Sequence, residues 1–442
     1  MDARHKKEFR RRRQRLMDFM GEKDIAILLA GPARVRNRDV EYPFRPDSDF
    51  HYLTGFPEPE ALAVFSPGRS KGEFLLFCRE RNPKQEQWLG ARAGLEGACR
   101  DFGADDAFPI DDVDDILPGL LENRKRVFYA IGSYPEFDQK ILTWVNKLRA
   151  KSRQGTSAPT EFVAFEHLLH EMRLFKSSHE IELLRKAADI SALAHRRAMG
   201  MCRPGIAEYQ IEAELTYEFT RSGSRSPAYP SIVASGSNGC VLHYIDNRSV
   251  LKDGALLLID AGAEYQYYAS DITRTFPVNG RFSPAQRQIY ELVLASQEAA
   301  IREARPGNHW NDMHDAVVRV LTQGLVDLGF LKGRVNTLIK NEKYKKFFMH
   351  RTGHWLGLDV HDVGDYKVDD EWRLLEPGMV LTVEPGLYIP GGNNKIPRKW
   401  WNIGVRIEDD ILITKDGPEI LSRNLPRSVD EIEALVGSMV NE

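Results

Sequence analysis

From Leu256 onward the chain repeatedly runs a short apolar stretch into one acid or one imidazole. LLLIDAG ends at Asp260, YYASDITRTF brings the chain to Asp271, HRTGHWLGLDVHD offers His354, LTVEPG ends on Glu384, and GVRIEDD carries Glu408. An apolar strand ordinarily ends in water on whatever polar residue is convenient, so five such ends predict one shared site. The earlier part of the chain has a different rhythm. After a helical start, DIAILL, EALAVF, GEFLLF and VFYAIG read as short strands and PEFDQKILTWVNKLRAK as a helix, a mixed α/β pattern. The polar, aperiodic stretch from Lys151 to Thr160 predicts a break there or in the next turn. Beyond it, Ser177 and Glu180 form a capping-box pair ahead of Ile181, Leu184 and Ala188, which opens a long amphipathic helix. The domains are therefore expected at 1–172 and 173–442. GALLLIDAG returning as DITRTFPV, the helical NDMHDAVVRVLTQGLVDLGF, and strands at VLTVEPGLYI and GVRIEDDILIT make the second domain α+β.

Composition narrows the classes. A chain of 442 residues exceeds one ordinary core. With 42% hydrophobic residues, 28% charged residues and a formal charge of -3, it is globular and unlike a general nucleic-acid binder. Small molecules or peptides are the expected partners, with no membrane contact. Cys78, Cys99, Cys202 and Cys240 have no paired spacing and read as free thiols in a reducing compartment, the cytoplasm by default. The basic cluster Arg10 to Arg13 reads as a solvated helix face.

The candidate ligands are carboxylate oxygens and one imidazole, without thiolate. That donor set suits hard or borderline divalent ions such as Mn²⁺ better than a structural zinc. Four clustered carboxylates would repel one another strongly unless cations neutralised them. Asp260 and Asp271 are eleven positions apart. A hairpin brings such a pair side by side across two strands, whereas a helix would separate them by about 16 Å. No HExxH and no P-loop occur, and GSNG from Gly236 reads as a plain turn. His243, His350 and His361 accompany His354, with His350 and His354 one turn apart if helical. Near a developing oxyanion, His243 and His361 could donate hydrogen bonds and move protons.

Taken together, HYIDN, DAGAEY, SDITRTFP, HRTGHWLGLDVHD, VEPG and GVRIEDD, in that order, resemble the pita-bread metallopeptidases. The block from Glu41 to Ala61, EYPFRPDSDFHYLTGFPEPEA, is similar to the N-terminal domain of aminopeptidase P (Xaa-Pro aminopeptidase) of the bacterial type. The resemblance implies an α+β catalytic domain with a pseudo-twofold curved antiparallel sheet flanked by helices, preceded by a smaller α/β domain. It implies two metal ions, usually manganese. Asp260 and Asp271 would bind one, His354 and Glu384 the other, and Asp271 and Glu408 would bridge them. His243, His361 and Arg406 match positions around the ions and substrate, while His350 and Tyr388 resemble the proline pocket, with Val360 as a further wall. A water between the ions is the expected nucleophile and Glu384 the expected proton carrier. Asp39 is expected to reach the substrate's amino group. Trp88, read as lying in a loop, is expected near a subunit contact of a homo-oligomer, a tetramer or dimer. The alternatives are a prolidase restricted to Xaa-Pro dipeptides and a non-catalytic binding module of the same fold, whose signature would be lost metal ligands.

Overall fold

The computed structural model describes residues 3–439, the His167 side chain excepted. The chain divides into two compact units, residues 1–172 and 173–442.

The first unit is built on a six-stranded sheet in the order Asp106–Pro109, Phe74–Cys78, Leu62–Phe65, Asp24–Leu29, Arg126–Tyr129 and Glu161–Ala164. Its inner pairs are antiparallel (Ala26↔Phe65, Ala63↔Leu76), and parallel strands complete it on both sides. The central strands are buried along their length, which is why they read as continuous apolar runs rather than alternating ones. The helix Pro135–Ala150 lays Phe137, Ile141, Trp144 and Leu148 on Ile25, Val64 and Val127.

Three expectations need correction in this unit. The stretch from Lys151 to Thr160 does not end it, because Glu161–Ala164 returns to pair with Arg126–Tyr129. That edge strand is four residues long and partly exposed, too short to carry a period. The basic cluster is not a solvated face throughout. Arg12 and Arg13 are buried and donate to the carbonyls of Tyr52 and Leu53, each at 3.1 Å, satisfying the C-terminal end of the helix Ser48–Thr54. Arg10 and Arg11 alone face water. Trp88 lies in the helix Pro83–Leu89, capped by Asn82, rather than a loop, and is 87% exposed. Asp39 is exposed at the turn between the paired strands Val35–Asn37 and Val40–Glu41.

The second unit repeats one plan. The helices Ser178–Met201 and Glu208–Arg221 pack together and precede an antiparallel sheet of Ile232–Ser235, Leu256–Asp260 and Thr273–Pro277. Pro284–Glu303 and Trp310–Asp327 likewise precede Val380–Val383, Asp409–Thr414 and Gly417–Ile420. In both sheets the second strand is central, so the two halves present the same edges to one core containing Leu257, Ile259, Phe276, Leu381, Val383 and Ile411. The capping box forms as read, with Glu180 N–H to Ser177 Oγ at 3.3 Å and Ser177 N–H to Glu180 Oε2 at 2.9 Å.

Between Asp260 and Asp271 the chain makes a small hairpin, Ala263–Tyr265 with Tyr268–Ala269, turned by Gln266 and Tyr267 at φ 49° and 70°. The strand partner of Asp260 is consequently Thr273, two residues past Asp271. Gly262 permits this crossing: a Cβ there would lie 1.6 Å from the Ser270 carbonyl oxygen. Beneath the same turn, the fully buried His195 bonds through Nε2 to the Ala261 carbonyl at 2.9 Å, and burial lowers its pKa to about 4.

Gly262→Ala should push the two segments apart, lowering the free energy of unfolding by roughly 1–3 kcal/mol; a variant with unchanged thermal stability would show that the crossing tolerates a side chain. His195 sets a second expectation. Its folded pKa lies below the ordinary 6.5, so the unfolded chain takes up a proton that the folded chain refuses, and stability is lost as pH falls from about 6.5 toward about 4. The loss approaches about 3 kcal/mol. Urea unfolding of His195→Gln should show a flatter pH dependence over that interval than the parent protein.

Candidate metal centre

Each of the five predicted ligands sits where a strand ends or is flanked by a tight crossing. Asp260 ends Leu256–Asp260, Asp271 precedes Thr273–Pro277, Glu384 follows Val380–Val383, and Glu408 lies between Ile403–Arg406 and Asp409–Thr414. His354 is placed differently. Its segment is extended, not helical as His350 and His354 allowed, and runs beside Val380–Val383: Leu356 N–H bonds to Val380 O, Thr382 N–H to His354 O, and Glu384 N–H to Thr352 O. Gly353 allows the approach, since a Cβ there would lie 1.9 Å from Thr382 O.

The result is one cavity of about 290 Å³ lined by all five residues together with His243, His350, Arg351, His361 and Arg406. His354 Nε2 lies 3.2 Å from Asp271 Oδ2 and 4.0 Å from Glu384 Oε1. Ligand atoms of Asp271, His354 and Glu408 all fall within 4.8 Å of one another. The His354 tautomer is set by its neighbour. Nδ1 faces the Trp355 carbonyl at 2.9 Å, an acceptor only, so Nδ1 keeps a proton and Nε2 is the nitrogen that faces the acids and can give up its proton to offer a lone pair.

The electrostatics test whether this donor set fits cations. Burial and the charges of Asp271, Glu384 and Asp260 hold Glu408 well above the usual carboxylate range. Burial lifts Glu384 to about 7 against the pull of His354 and Arg406. Burial raises Asp260 as well. Asp271 is the exception. Burial pushes it upward, but the His354 hydrogen bond and charge bring it below the usual range. His354 is in turn raised to about 9: burial lowers it, and the Asp271 bond and charge outweigh that. Tyr229 adds a second indication. Its hydroxyl is 2.7 Å from Asp260 Oδ1 and 2.5 Å from Asp271 Oδ1, yet a phenol has one proton to donate. Sharing that one proton leaves two carboxylates, drawn to a single point, with negative charge that the phenol cannot offset. Acids pushed upward by burial and by one another, and an imidazole raised by the carboxylate beside it, mark a site whose donors fit positive ions.

Other predicted residues separate into three groups. His243 and His361 are exposed at the cavity wall, and the His361 ring meets His354 edge-on at 4.4 Å. Burial and the His354 charge lower the pKa of His361. Arg406 is buried. It donates to Asp260 Oδ2 at 2.5 Å, to the Tyr388 hydroxyl at 3.1 Å and to Thr273 Oγ1 at 3.2 Å. Tyr388 and Val360 do not line the cavity. Tyr388 is 1% exposed, and its hydroxyl accepts from Arg406 and donates to His350 Nε2 at 2.8 Å, so it orients His350 rather than offering its ring as a slot. With His350 Nδ1 donating to Arg351 O at 2.7 Å, both His350 nitrogens are occupied, and only its carbon edge is free for a proline ring.

Several residues escaped the reading. Tyr229 carries no local signal, standing in an ordinary AYPS turn. Thr273 donates to Glu408 Oε2 at 2.7 Å. Asp409 forms a fully buried ion pair with Arg274 at 2.7 Å, and Asp410 accepts Ser270 Oγ at 2.8 Å and Asp271 N–H at 3.1 Å. The acidic run of GVRIEDD was in view, and strand alternation distinguishes its members, because successive side chains point to opposite faces.

Comparison with known proteins agrees with this geometry. Residues 182–415 match metallopeptidase family M24, and residues 9–129 match the N-terminal domain of aminopeptidase P. A Xaa-Pro aminopeptidase of Escherichia coli (strain K12) is 48% identical over 432 residues, 98% of each chain. The solved structure of Pseudomonas aeruginosa aminopeptidase PepP superposes with a TM-score of 0.98 at 58% identity, covering 99% of both chains. Zinc-substituted E. coli aminopeptidase P in complex with product superposes at 0.95 and 48% identity, covering 99% of this chain and 98% of that one. The chain belongs to metallopeptidase family M24, in the branch that carries the aminopeptidase P N-terminal domain before a pita-bread catalytic domain.

Proposed function

We propose that this chain is a two-metal aminopeptidase that hydrolyses the bond between a peptide's first residue and a proline in second position. One observation carries the reading: the buried carboxylates of Asp260, Asp271 and Glu408, the partly exposed one of Glu384 and His354 Nε2 converge on a single cavity, in a chain similar over nearly its whole length to Xaa-Pro aminopeptidases. A non-catalytic module of this fold would lack ligands, and all five are in place. A dipeptide-restricted prolidase is disfavoured by the match of residues 9–129.

In this reading Asp260, Asp271, His354, Glu384 and Glu408 would together hold two ions, with Asp260 and Asp271 serving one, His354 and Glu384 the other, and Asp271 and Glu408 shared. Manganese is the proposed ion, on the oxygen-rich donor set. Two such ions, when bound, supply Lewis-acid polarisation of the scissile carbonyl and a lowered water pKa. The protein's own groups do the rest. Glu384 directs Oε1 toward His354, leaving Oε2 to take a proton and pass it to the leaving nitrogen. His243 and His361 donate N–H to the developing oxyanion from the cavity wall. Arg406 fixes Asp260 and, through Tyr388, keeps His350 oriented with its carbon edge toward the proline ring. A prolyl nitrogen carries no hydrogen, so recognition there rests on shape rather than on a hydrogen bond.

Asp39 and Trp88, both exposed, are proposed substrate contacts in an assembled homo-oligomer, a tetramer or dimer. A cytoplasmic setting is proposed from four free cysteines. No helix among the described residues is long and apolar enough to cross a membrane.

Metal analysis of the purified protein should find about two divalent ions per chain, and an Xaa-Pro tripeptide should be cleaved before chelation and after metal is restored, but not between. Cleavage confined to dipeptides would favour the prolidase reading. Glu384→Ala should lose at least about a hundredfold in kcat; a variant that keeps its metals and its rate would remove Glu384 from proton transfer.

A further inference from the structure

Arg351 lines the same cavity as the carboxylates, on the stretch between His350 and His354. Its guanidinium stands 5.0 Å over the Trp372 ring and donates from Nη2 to Asn311 Oδ1 at 2.6 Å. That uses one of its five N–H groups. Asp315 is the acid whose charge acts on it most, yet Arg351 forms no ion pair among the described residues. The contrast with Arg406 is informative. Arg406 is buried and committed to Asp260, Tyr388 and Thr273, whereas Arg351 is exposed and held in place by neutral groups. The cavity thus has acids at its floor and an unpaired cation at its rim.

We propose that Arg351 is a carboxylate-binding subsite that receives the C-terminal carboxylate of short Xaa-Pro peptides. The inference rests on the aminopeptidase reading above. A short peptide carries an ammonium at one end and a carboxylate at the other, and a tripeptide spans about 10 Å when extended. With ions offsetting the carboxylates of the floor, the rim cation is the charge left to draw the carboxylate to it, which favours entry amino end first. Stacking on Trp372 and the bond to Asn311 pre-orient the planar fork, the geometry that suits a carboxylate. Longer peptides, whose carboxylate lies beyond the rim, gain nothing from it.

The test compares Ala-Pro-Ala with Ala-Pro-Ala-amide on the manganese-loaded protein and on Arg351→Gln and Arg351→Lys. The parent should favour the acid by about three- to tenfold, in KM rather than kcat, as expected of a partly exposed pair. Arg351→Gln should erase that preference while leaving amide turnover intact, and Arg351→Lys should restore part of it. Added salt should shrink the preference in the parent protein. A parent enzyme that cleaves both peptides equally, a salt-independent preference, or a preference that survives in Arg351→Gln overturns the subsite and leaves the peptidase reading standing. Failure to cleave either peptide removes both.

Discussion

Four carboxylates gathered around one small cavity, three of them buried and Glu384 partly so, are the constraint that organises this protein. Like charges in a poorly solvated space repel one another, and each also loses its hydration. The fold overcomes both costs by placing each acid at the end of a paired strand or beside a tight crossing, where backbone hydrogen bonds on either side leave it no route outward. Asp260 is fixed by pairing on both flanks, to Ile232 and to Thr273. Glu384 is fixed because its own N–H is bonded to Thr352 O at 2.7 Å.

A second layer of buried charge holds the first. Arg274 is completely buried and donates to the backbone carbonyls of Thr273 and Glu408, as well as to Asp409. It thereby ties the strand after Asp271 to the segment of Glu408, joining the two halves of the repeat at the cavity. Asp409 answers that cation, and Ser422 Oγ donates to it at 2.5 Å. Asp410 faces the other way and receives Asp271 N–H and Ser270 Oγ, with burial and the Asp271 charge raising its pKa. Removing either partner of a buried pair strands the other without water, so these residues are as demanding as the ligands themselves.

What could be read in the chain and what could not divides along a physical line. The convergence of Asp260, Asp271, His354, Glu384 and Glu408 on one cavity was legible because a charged residue at the end of an apolar run conflicts with the simplest pattern, and five such conflicts recur in order. The central strands were legible as continuous apolar runs, whereas the short, partly exposed edge strands Asp106–Pro109 and Glu161–Ala164 were not. Tyr229 was not, since nothing about a tyrosine before proline announces that its hydroxyl meets two aspartates. Tyr388 was assigned to the wrong surface, because sequence places a ring near a site without saying whether its face or its hydroxyl points there. Arg12 and Arg13 failed in the opposite sense. A basic run usually stays solvated, and it is partners distant in sequence, the carbonyls of Tyr52 and Leu53 and the rings of Tyr52 and Phe74, that give these two a reason to be buried.

The polar partners around the ligands raise the question whether they compete with metal. Asp260 receives Tyr229 at Oδ1 and Arg406 at Oδ2, and Glu408 receives Thr273 at Oε2. An ionised carboxylate offers about four lone-pair directions, two on each oxygen. One donor per oxygen therefore leaves one direction on each for a cation. The donors lie on the side away from His354 in function if not in distance: they hold the carboxylates' orientation and leave the imidazole Nε2 lone pair, whose proton sits on Nδ1 against Trp355, as the only nitrogen donor in the set. Neutralising the acids by proton instead would fill those remaining directions one at a time with hydrogens that each need an acceptor of their own. The geometry is therefore better satisfied by multivalent cations than by protonation, and the buried donors serve to aim the ligands toward them.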